Sequence, residues 1–174
     1  MLRRLATAVL VAGATLTIVA CASGSLGTPG DVVEANAEVV RVVDGDTLVV
    51  QADGIEERVR LIGINTPESV KPGTPVMCFG KEASKHLGEL VGEGSAIRLV
   101  RDVEVRDRYD RLLAYVYRAS DGLFVNLAMV TDGYADQYTF PPNVAHVDEF
   151  RQAAAAARDN GVGLWSACER PFEE

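Results

Sequence analysis

Two Asp-Gly dipeptides, each between runs rich in Val, Ile and Thr, constrain the fold of this 174-residue chain more than any other feature. An Asp-Gly pair between two β-type runs is a strong hairpin signal. The pairs at 44–45 and 53–54 therefore predict a three-stranded meander, and two more β-type runs follow. The predicted strands are Ala37–Val43, Thr47–Gln51, Glu57–Ile64, Ala96–Val103 and Leu112–Arg118.

Three other segments are predicted to be helical from the spacing of their apolar residues or from a glycine at their end. Five strands with a helix after the third is the strand and helix order of an OB-fold. The sequence therefore predicts a β-rich α+β protein, a five-stranded OB-fold barrel with three α-helices, over residues 37–168. A short tail, 169–174, follows. The predicted helices are Phe79–Val91, Val125–Asp132 and His146–Asn160.

Residues 1–20 have the pattern of an export signal. Arg3 and Arg4 precede Leu5–Ala20, an uncharged run shorter than the roughly 20 residues that span a bilayer. Cys21 follows this run directly, and the residues Ile18–Cys21 resemble a bacterial lipobox. The resemblance implies cleavage before Cys21 and a lipid that holds the exported protein on the outer face of the cell membrane. Residues 21–36 are then a flexible tether; ordinary secretion or an uncleaved helix are the alternatives.

Three cysteines are present, and a lipid on Cys21 leaves Cys78 and Cys168. In an exported chain, two cysteines are most simply one disulfide. It closes a loop of roughly 90 residues, which is worth about 4 kcal/mol in the chain-entropy model. Two buried free thiols are the alternative.

The charge of the chain excludes one class of nucleic-acid binder. There are 17 Lys and Arg residues against 25 Asp and Glu residues, a formal net charge of -8. This balance argues against a protein that coats nucleic acid by bulk electrostatics, but it allows an enzyme with a local cationic cleft.

Three polar blocks carry the candidate chemistry. Carboxylate, amide and backbone carbonyl oxygens suit Ca²⁺, and an arginine among aliphatic residues of a strand needs an anionic partner or ligand. Two arginines, one carboxylate and one divalent metal are what phosphodiester hydrolysis needs. The blocks are DGDT at 44–47, RLIGINTPE at 60–68 and DRYDRLLAY at 107–115.

In this order and approximate spacing, the blocks resemble the thermonuclease family, from about Glu38 to Trp165. The resemblance implies an OB-fold barrel with three helices and Ca²⁺-dependent hydrolysis of DNA and RNA. Cleavage at the 5′ P–O bond would leave 3′-phosphate ends.

The resemblance also implies a calcium site. Asp46 matches the first ligand, Asn65 lies where the family's best-known member has an aspartate, and Thr66 would offer its backbone carbonyl. Because an amide carries no charge, we expect Asn65 to weaken Ca²⁺ binding, or to make it depend more on the substrate phosphate.

The other matched residues are catalytic or substrate-binding. Glu68 matches the general base, and Arg60 and Arg111 match the two arginines that bind the phosphate and its transition state. Arg108 and Tyr109 match the group that holds a terminal phosphate, and Tyr138 matches a tyrosine that packs against the nucleotide.

Two other functions remain open: a non-catalytic OB-fold module that binds nucleic acid or a protein, and a structural lipoprotein without a site. The presence of Arg60, Glu68 and Arg111 favours the enzyme, because a binding module does not need the base. We expect the enzyme to be a monomer.

Overall fold

The structure is a computed structural model, and it describes residues 32–70, 73 and 75–172. The predicted signal segment, the lipid attachment at Cys21 and most of the predicted tether lie outside the described residues. Among the described residues, no helix has the length and apolar character required to cross a bilayer.

Five strands form a closed barrel: β1 Ala37–Asp44, β2 Thr47–Ala52, β3 Ile55–Leu61, β5 Ala96–Val100 and β6 Leu112–Arg118, with the order β1-β2-β3-β6-β5. The first three pair antiparallel, which confirms the meander predicted from the Asp-Gly dipeptides, and β3 pairs parallel with β6. Apolar side chains on alternate positions fill the barrel, among them Leu48, Val50 and Val59. Two further strands, β4 Ile64–Asn65 and β7 Asp136–Gln137, pair with each other in a separate sheet.

The third strand is shorter than predicted. The sequence predicted one strand over Glu57–Ile64, but Gly63 adopts φ 83° and separates β3 from β4. A Cβ at Gly63 would lie 2.2 Å from the ring of Phe150, so only glycine fits there. The prediction was wrong because β-type residues flank this glycine on both sides, and the break redirects the chain towards Asn65.

The three predicted helices are present, and a four-residue helix follows them. The helices are α1 Gly80–Leu90, α2 Val125–Thr131, α3 Val147–Asp159 and α4 Leu164–Ala167. Helices α2 and α3 pack together, and α1 packs on β1.

A disulfide joins Cys78, just before α1, to Cys168, just after α4. The two Cα atoms lie 6.0 Å apart, and the sequence separation is 90 residues. The structure thus contains the predicted pairing rather than two free thiols, and it links the C-terminal end to the loop that precedes α1.

Candidate active site

A cleft of about 480 Å³ opens at the edge of the barrel, beside the turn between β1 and β2. It brings together seven of the predicted residues: six come from the three polar blocks of sequence, and the seventh is Tyr138. The cleft is lined by Val43, Asp44, Asp46, Thr47, Arg58, Arg60, Asn65, Thr66, Glu68, Val70, Arg111 and Tyr138.

Asp46 is buried just after this turn and connects two parts of the cleft. Its Oδ1 accepts a hydrogen bond from the Thr47 hydroxyl at 3.0 Å. Its Oδ2 accepts one from the Thr66 backbone N–H at 3.2 Å and lies 3.0 Å from Nη2 of Arg60. The carboxylate therefore holds the segment after β4 against the β1–β2 turn.

Arg60, near the end of β3, has the anionic partner that the sequence required, because its guanidinium pairs with Asp46. The break between β3 and β4 supplies further acceptors. Nη1 donates to the Leu61 carbonyl at 2.6 Å, and Nη2 donates to the Ile64 carbonyl at 2.9 Å and to Oδ1 of Asn65 at 3.4 Å. These contacts fix the guanidinium at the wall of the cleft.

Glu68 is held through both its side chain and its backbone. Oε1 accepts hydrogen bonds from the backbone N–H groups of Ser69 at 3.0 Å and Val70 at 2.9 Å. The Glu68 N–H donates to Sδ of Met77 at 3.3 Å, and its carbonyl accepts from the Met77 N–H at 2.9 Å. A Cβ at Gly80 would lie 2.6 Å from the Glu68 carbonyl oxygen, so the start of α1 closes against the same residue.

Arg111 is held by a carboxylate on its own loop. Asp107 Oδ2 accepts hydrogen bonds from Nε of Arg111 at 2.7 Å and lies 2.6 Å from Nη2. Burial raises the pKa of Asp107, but hydrogen bonds from the Arg111 side chain and from the backbone N–H groups of Arg111 and Tyr109 outweigh it. The pKa of Asp107 therefore lies below its usual value.

A second cleft, of about 460 Å³, adjoins the first and shares Arg60, Arg111 and Tyr138 with it. Tyr109 and Arg108 line this second cleft. Nη2 of Arg108 donates to the Tyr109 hydroxyl at 2.6 Å, and Tyr109 is 65% exposed. All predicted substrate-binding residues thus lie next to the predicted catalytic residues.

Comparison with known proteins now decides the family. Residues 58–167 match the family model described as staphylococcal nuclease homologue. The chain is 42% identical over 131 residues to a thermonuclease of Staphylococcus intermedius. The aligned region covers 73% of this chain and 74% of that protein. A thermonuclease of Staphylococcus hyicus is 37% identical over 137 residues, 76% of this chain and 77% of that protein.

The chain belongs to the staphylococcal nuclease family. A third relative, the endonuclease YncB of Bacillus subtilis (strain 168), is 36% identical over 132 residues, 75% of this chain and 62% of that protein. The family resemblance and the OB-fold barrel expected from the sequence are confirmed. The chain is a hydrolase of the nuclease class.

The oxygen donors of this nuclease fit a hard divalent cation. A carboxylate has about four lone-pair sites, and three donors contact Asp46, so one site on Oδ1 stays available. Asn65 and Thr66 line the same cleft. Within the described residues, no three His, Cys, Asp or Glu side chains form a metal-binding group. A cation such as Ca²⁺ held here would therefore need backbone oxygens, water or phosphate to complete its coordination.

Sequence analysis missed Asp44, which is buried in the cleft of this nuclease two positions before Asp46. Its Oδ1 accepts hydrogen bonds from the Ser69 hydroxyl at 2.6 Å and from the Gly45 N–H at 2.8 Å. Burial is the main reason why the pKa of Asp44 rises from 3.8 to about 6. The negative charge of Asp46 and a hydrogen bond with Glu68 raise this pKa further, whereas the hydrogen bonds from Ser69 and Gly45 lower it. The Asp-Gly pair at 44–45 predicts a turn, and nothing further in the sequence indicates that Asp44 is buried in the cleft.

Sequence analysis also missed three other residues that the structure places at these clefts. Asp107 positions Arg111, Phe140 lines the second cleft beside Tyr138, and Arg58 lines the first. Asp107 opens the DRYDRLLAY block but was given no role of its own there. The sequence signal for Arg58 is its alternation with a predicted site residue, since it stands two positions before Arg60 on the same strand.

Proposed function

We propose that this nuclease hydrolyses phosphodiester bonds of DNA and RNA in a Ca²⁺-dependent reaction, with little sequence specificity. It cleaves the 5′ P–O bond and leaves a 3′-phosphate. The observation that carries the proposal is the first cleft, where the carboxylates of Asp46 and Glu68 share one space with the guanidinium groups of Arg60 and Arg111.

The residues of the cleft suit each part of an in-line hydrolysis. Glu68 accepts the proton of the water whose oxygen attacks phosphorus. Arg60 and Arg111 donate hydrogen bonds to the phosphate oxygens, where negative charge grows as the new P–O bond forms and the bond to the 5′ oxygen breaks. The 5′ oxygen leaves and takes up a proton from solvent water, and Glu68 returns its proton to solvent. A Ca²⁺ ion held by Asp46, Asn65 and Thr66 would supply further neutralisation of that charge.

The second cleft suits the nucleotide next to the scissile bond. Tyr138 and Phe140 are 51% and 62% exposed aromatic side chains beside it, and bases stack on such rings. Arg108 and Tyr109 offer a guanidinium and a hydroxyl for a terminal phosphate.

We also propose that the enzyme is exported, anchored by a lipid on Cys21 and monomeric. The signal-like residues 1–20 and the disulfide support export, since disulfides persist in oxidising compartments. Replacement Cys21→Ser should abolish incorporation of radiolabelled fatty acid into the protein. Undiminished labelling of the variant would contradict the anchor.

Digestion of plasmid DNA and of RNA by the purified mature chain tests the enzymatic proposal. We expect cleavage with millimolar Ca²⁺, none with a chelator, and 3′-phosphate ends in the products. Glu68→Gln should lower turnover by about 100-fold or more. Glu89→Gln is the matched control, since Glu89 lies exposed on α1 and pairs with Lys85.

Two outcomes would contradict this proposal in different ways. Full activity of Glu68→Gln would remove Glu68 as the base. Absence of cleavage by the wild type, together with retained binding of an oligonucleotide, would favour the non-catalytic binding module.

A further inference from the structure

Three rows of side chains cross the outer face of β1, β2 and β3. Residues directly opposite each other in antiparallel strands project from the same face, and the core residues Leu48 and Val50 project inward from β2. On β2 and β3 the rows are two residues apart, which is about 6.6 Å. The site row is Asp44–Thr47–Arg60, the basic row is Arg41–Val49–Arg58, and the acidic row is Glu38–Gln51–Glu56.

The basic row is adjacent to the active-site cleft. Arg58 lines that cleft together with Arg60, two positions further along β3. Val49, between the two arginines, is 3% exposed although it is not part of the core cluster. The register places Val49 directly between Arg41 and Arg58, whose aliphatic stems are long enough to lie over it.

Among the described residues, Arg41 and Arg58 have no carboxylate partner, unlike Arg60, Arg106 and Arg111, and no hydrogen-bond partner, unlike Arg108. Arg60, Arg106 and Arg111 each form an ion pair. For Arg41 and Arg58, by contrast, no ion pair or hydrogen bond is found within the described part of the chain. In a chain with 25 acidic residues, two exposed guanidinium groups in one row, without a partner among the described residues, indicate an anion that comes from outside.

We propose that Arg58 and Arg41 form a subsite for one backbone phosphate of the substrate, next to the scissile phosphate. This subsite rests on the proposed nuclease function. Arg41 on β1 and Arg58 on β3 lie on either side of β2, so their Cβ atoms are about 10 Å apart. A phosphate between the two side chains can contact both guanidinium groups.

The acidic row sets the limit of this subsite. Glu38 and Glu56 are both exposed and flank Gln51, immediately beyond the basic row. A strand that continues in the same direction would place its next phosphate beside the carboxylates of Glu38 and Glu56. Binding of the substrate is therefore stabilised by one phosphate beyond the scissile one and by no further phosphate. The pattern therefore favours a short single strand over the bulk electrostatic binding that a net charge of -8 opposes.

Steady-state kinetics on substrates of defined length test the subsite. The substrates are a dinucleotide with one phosphodiester bond and the same dinucleotide extended by one or two nucleotides at either end. For the wild type at low salt, we expect the first extension at one end to lower KM roughly threefold or more, and the second extension to add little.

Arg58→Gln should remove this difference in KM and reduce the slope of log KM against log salt by about 0.7. Arg41→Gln should act in the same direction. Arg151→Gln, on the exposed surface of α3, is the matched control and should keep both the length dependence and the slope.

The outcomes separate the subsite from the function. If the wild type cleaves these substrates but Arg58→Gln retains the full length dependence and salt slope, the subsite is wrong and the nuclease function stands. If KM falls steadily with each added nucleotide, the acidic limit is wrong. If the wild type cleaves neither these substrates nor plasmid DNA, the proposed function itself fails.

Discussion

The site has two halves that are held together in different ways. The acidic half consists of Asp44, Asp46 and Glu68, and its contacts join distant parts of the chain. The bond from the Thr66 N–H to Asp46 spans 20 residues, and the bond from the Ser69 hydroxyl to Asp44 spans 25. This half therefore exists only when the barrel is closed.

The basic half, residues 107–111, is organised by its own loop. Asp107 accepts hydrogen bonds from the Tyr109 and Arg111 backbones, and Arg108 donates to its neighbour Tyr109, so that each of these contacts spans four residues or fewer. The comparison indicates that long-range contacts hold Asp44 and Asp46 in place, whereas contacts within one loop hold Arg108, Tyr109 and Arg111.

Reduction of the disulfide should have the largest effect and should separate the two halves. Opening the Cys78–Cys168 link releases a loop of 90 residues, so we expect the free energy of unfolding to fall by about 4 kcal/mol. Urea unfolding with and without dithiothreitol measures this change.

Hydrogen exchange then shows which half depends on the link. The Met77 N–H, bonded to Glu68 beside Cys78, should exchange faster after reduction, whereas the Arg111 N–H should not. The double variant Cys78→Ser and Cys168→Ser is the control and should be insensitive to the reductant. Unchanged unfolding of the reduced wild type would contradict the account.

Asp44→Asn should stabilise the protein at neutral pH when divalent cations are removed. The pKa of Asp44 is about 6 in the folded protein and 3.8 normally, so between these values the folded state binds more protons. Its contribution to the free energy of unfolding therefore falls as the pH rises from about 4 to 6.

The variant should gain up to about 3 kcal/mol over the wild type at pH 7 and little at pH 3.5, since two pKa units correspond to that energy. Urea unfolding at both pH values, in a chelating buffer, measures the difference. A difference that is the same at both pH values would show that burial of the Asp44 charge is not its cause.

Arg60→Lys should lower kcat/KM by about 100-fold. An ammonium group cannot reproduce the fork that contacts Asp46 and the Ile64 carbonyl and that, in the proposed reaction, also binds a phosphate. Single-turnover cleavage of an oligonucleotide measures the chemical step, and near-normal turnover would show that Arg60 has only a structural role.

Asp107→Asn should have the smallest effect, a loss of about tenfold in kcat/KM, because it removes the charge that orients Arg111 but leaves the loop and the guanidinium in place. Asp110→Asn is the matched control. Asp110 is on the same loop with φ 62°, which Asn tolerates, and it lines neither cleft. If both variants behave alike, the loop rather than Asp107 positions Arg111.

The same division explains what could be predicted from the sequence. The strands β1, β2 and β3 follow from Asp-Gly turns and alternating β-branched residues, which are local signals, and the residues 107–111 form a contiguous motif. The long-range contacts of Asp44 with Ser69 and of Glu68 with Met77 have no local signal, because each depends on how separate loops meet. The strand break at Gly63 depends on the ring of Phe150, 87 positions later in the chain.

The most direct test of the central claim is the Ca²⁺ dependence of cleavage by Asn65→Asp. If Asp46, Asn65 and Thr66 hold the cation beside Glu68, an added carboxylate at 65 should lower the half-saturating Ca²⁺ concentration by about tenfold. Asn160→Asp, which adds the same charge beyond the end of α3, should leave it unchanged. An unchanged Ca²⁺ requirement in Asn65→Asp, with cleavage intact, would contradict the placement of the cation in this cleft.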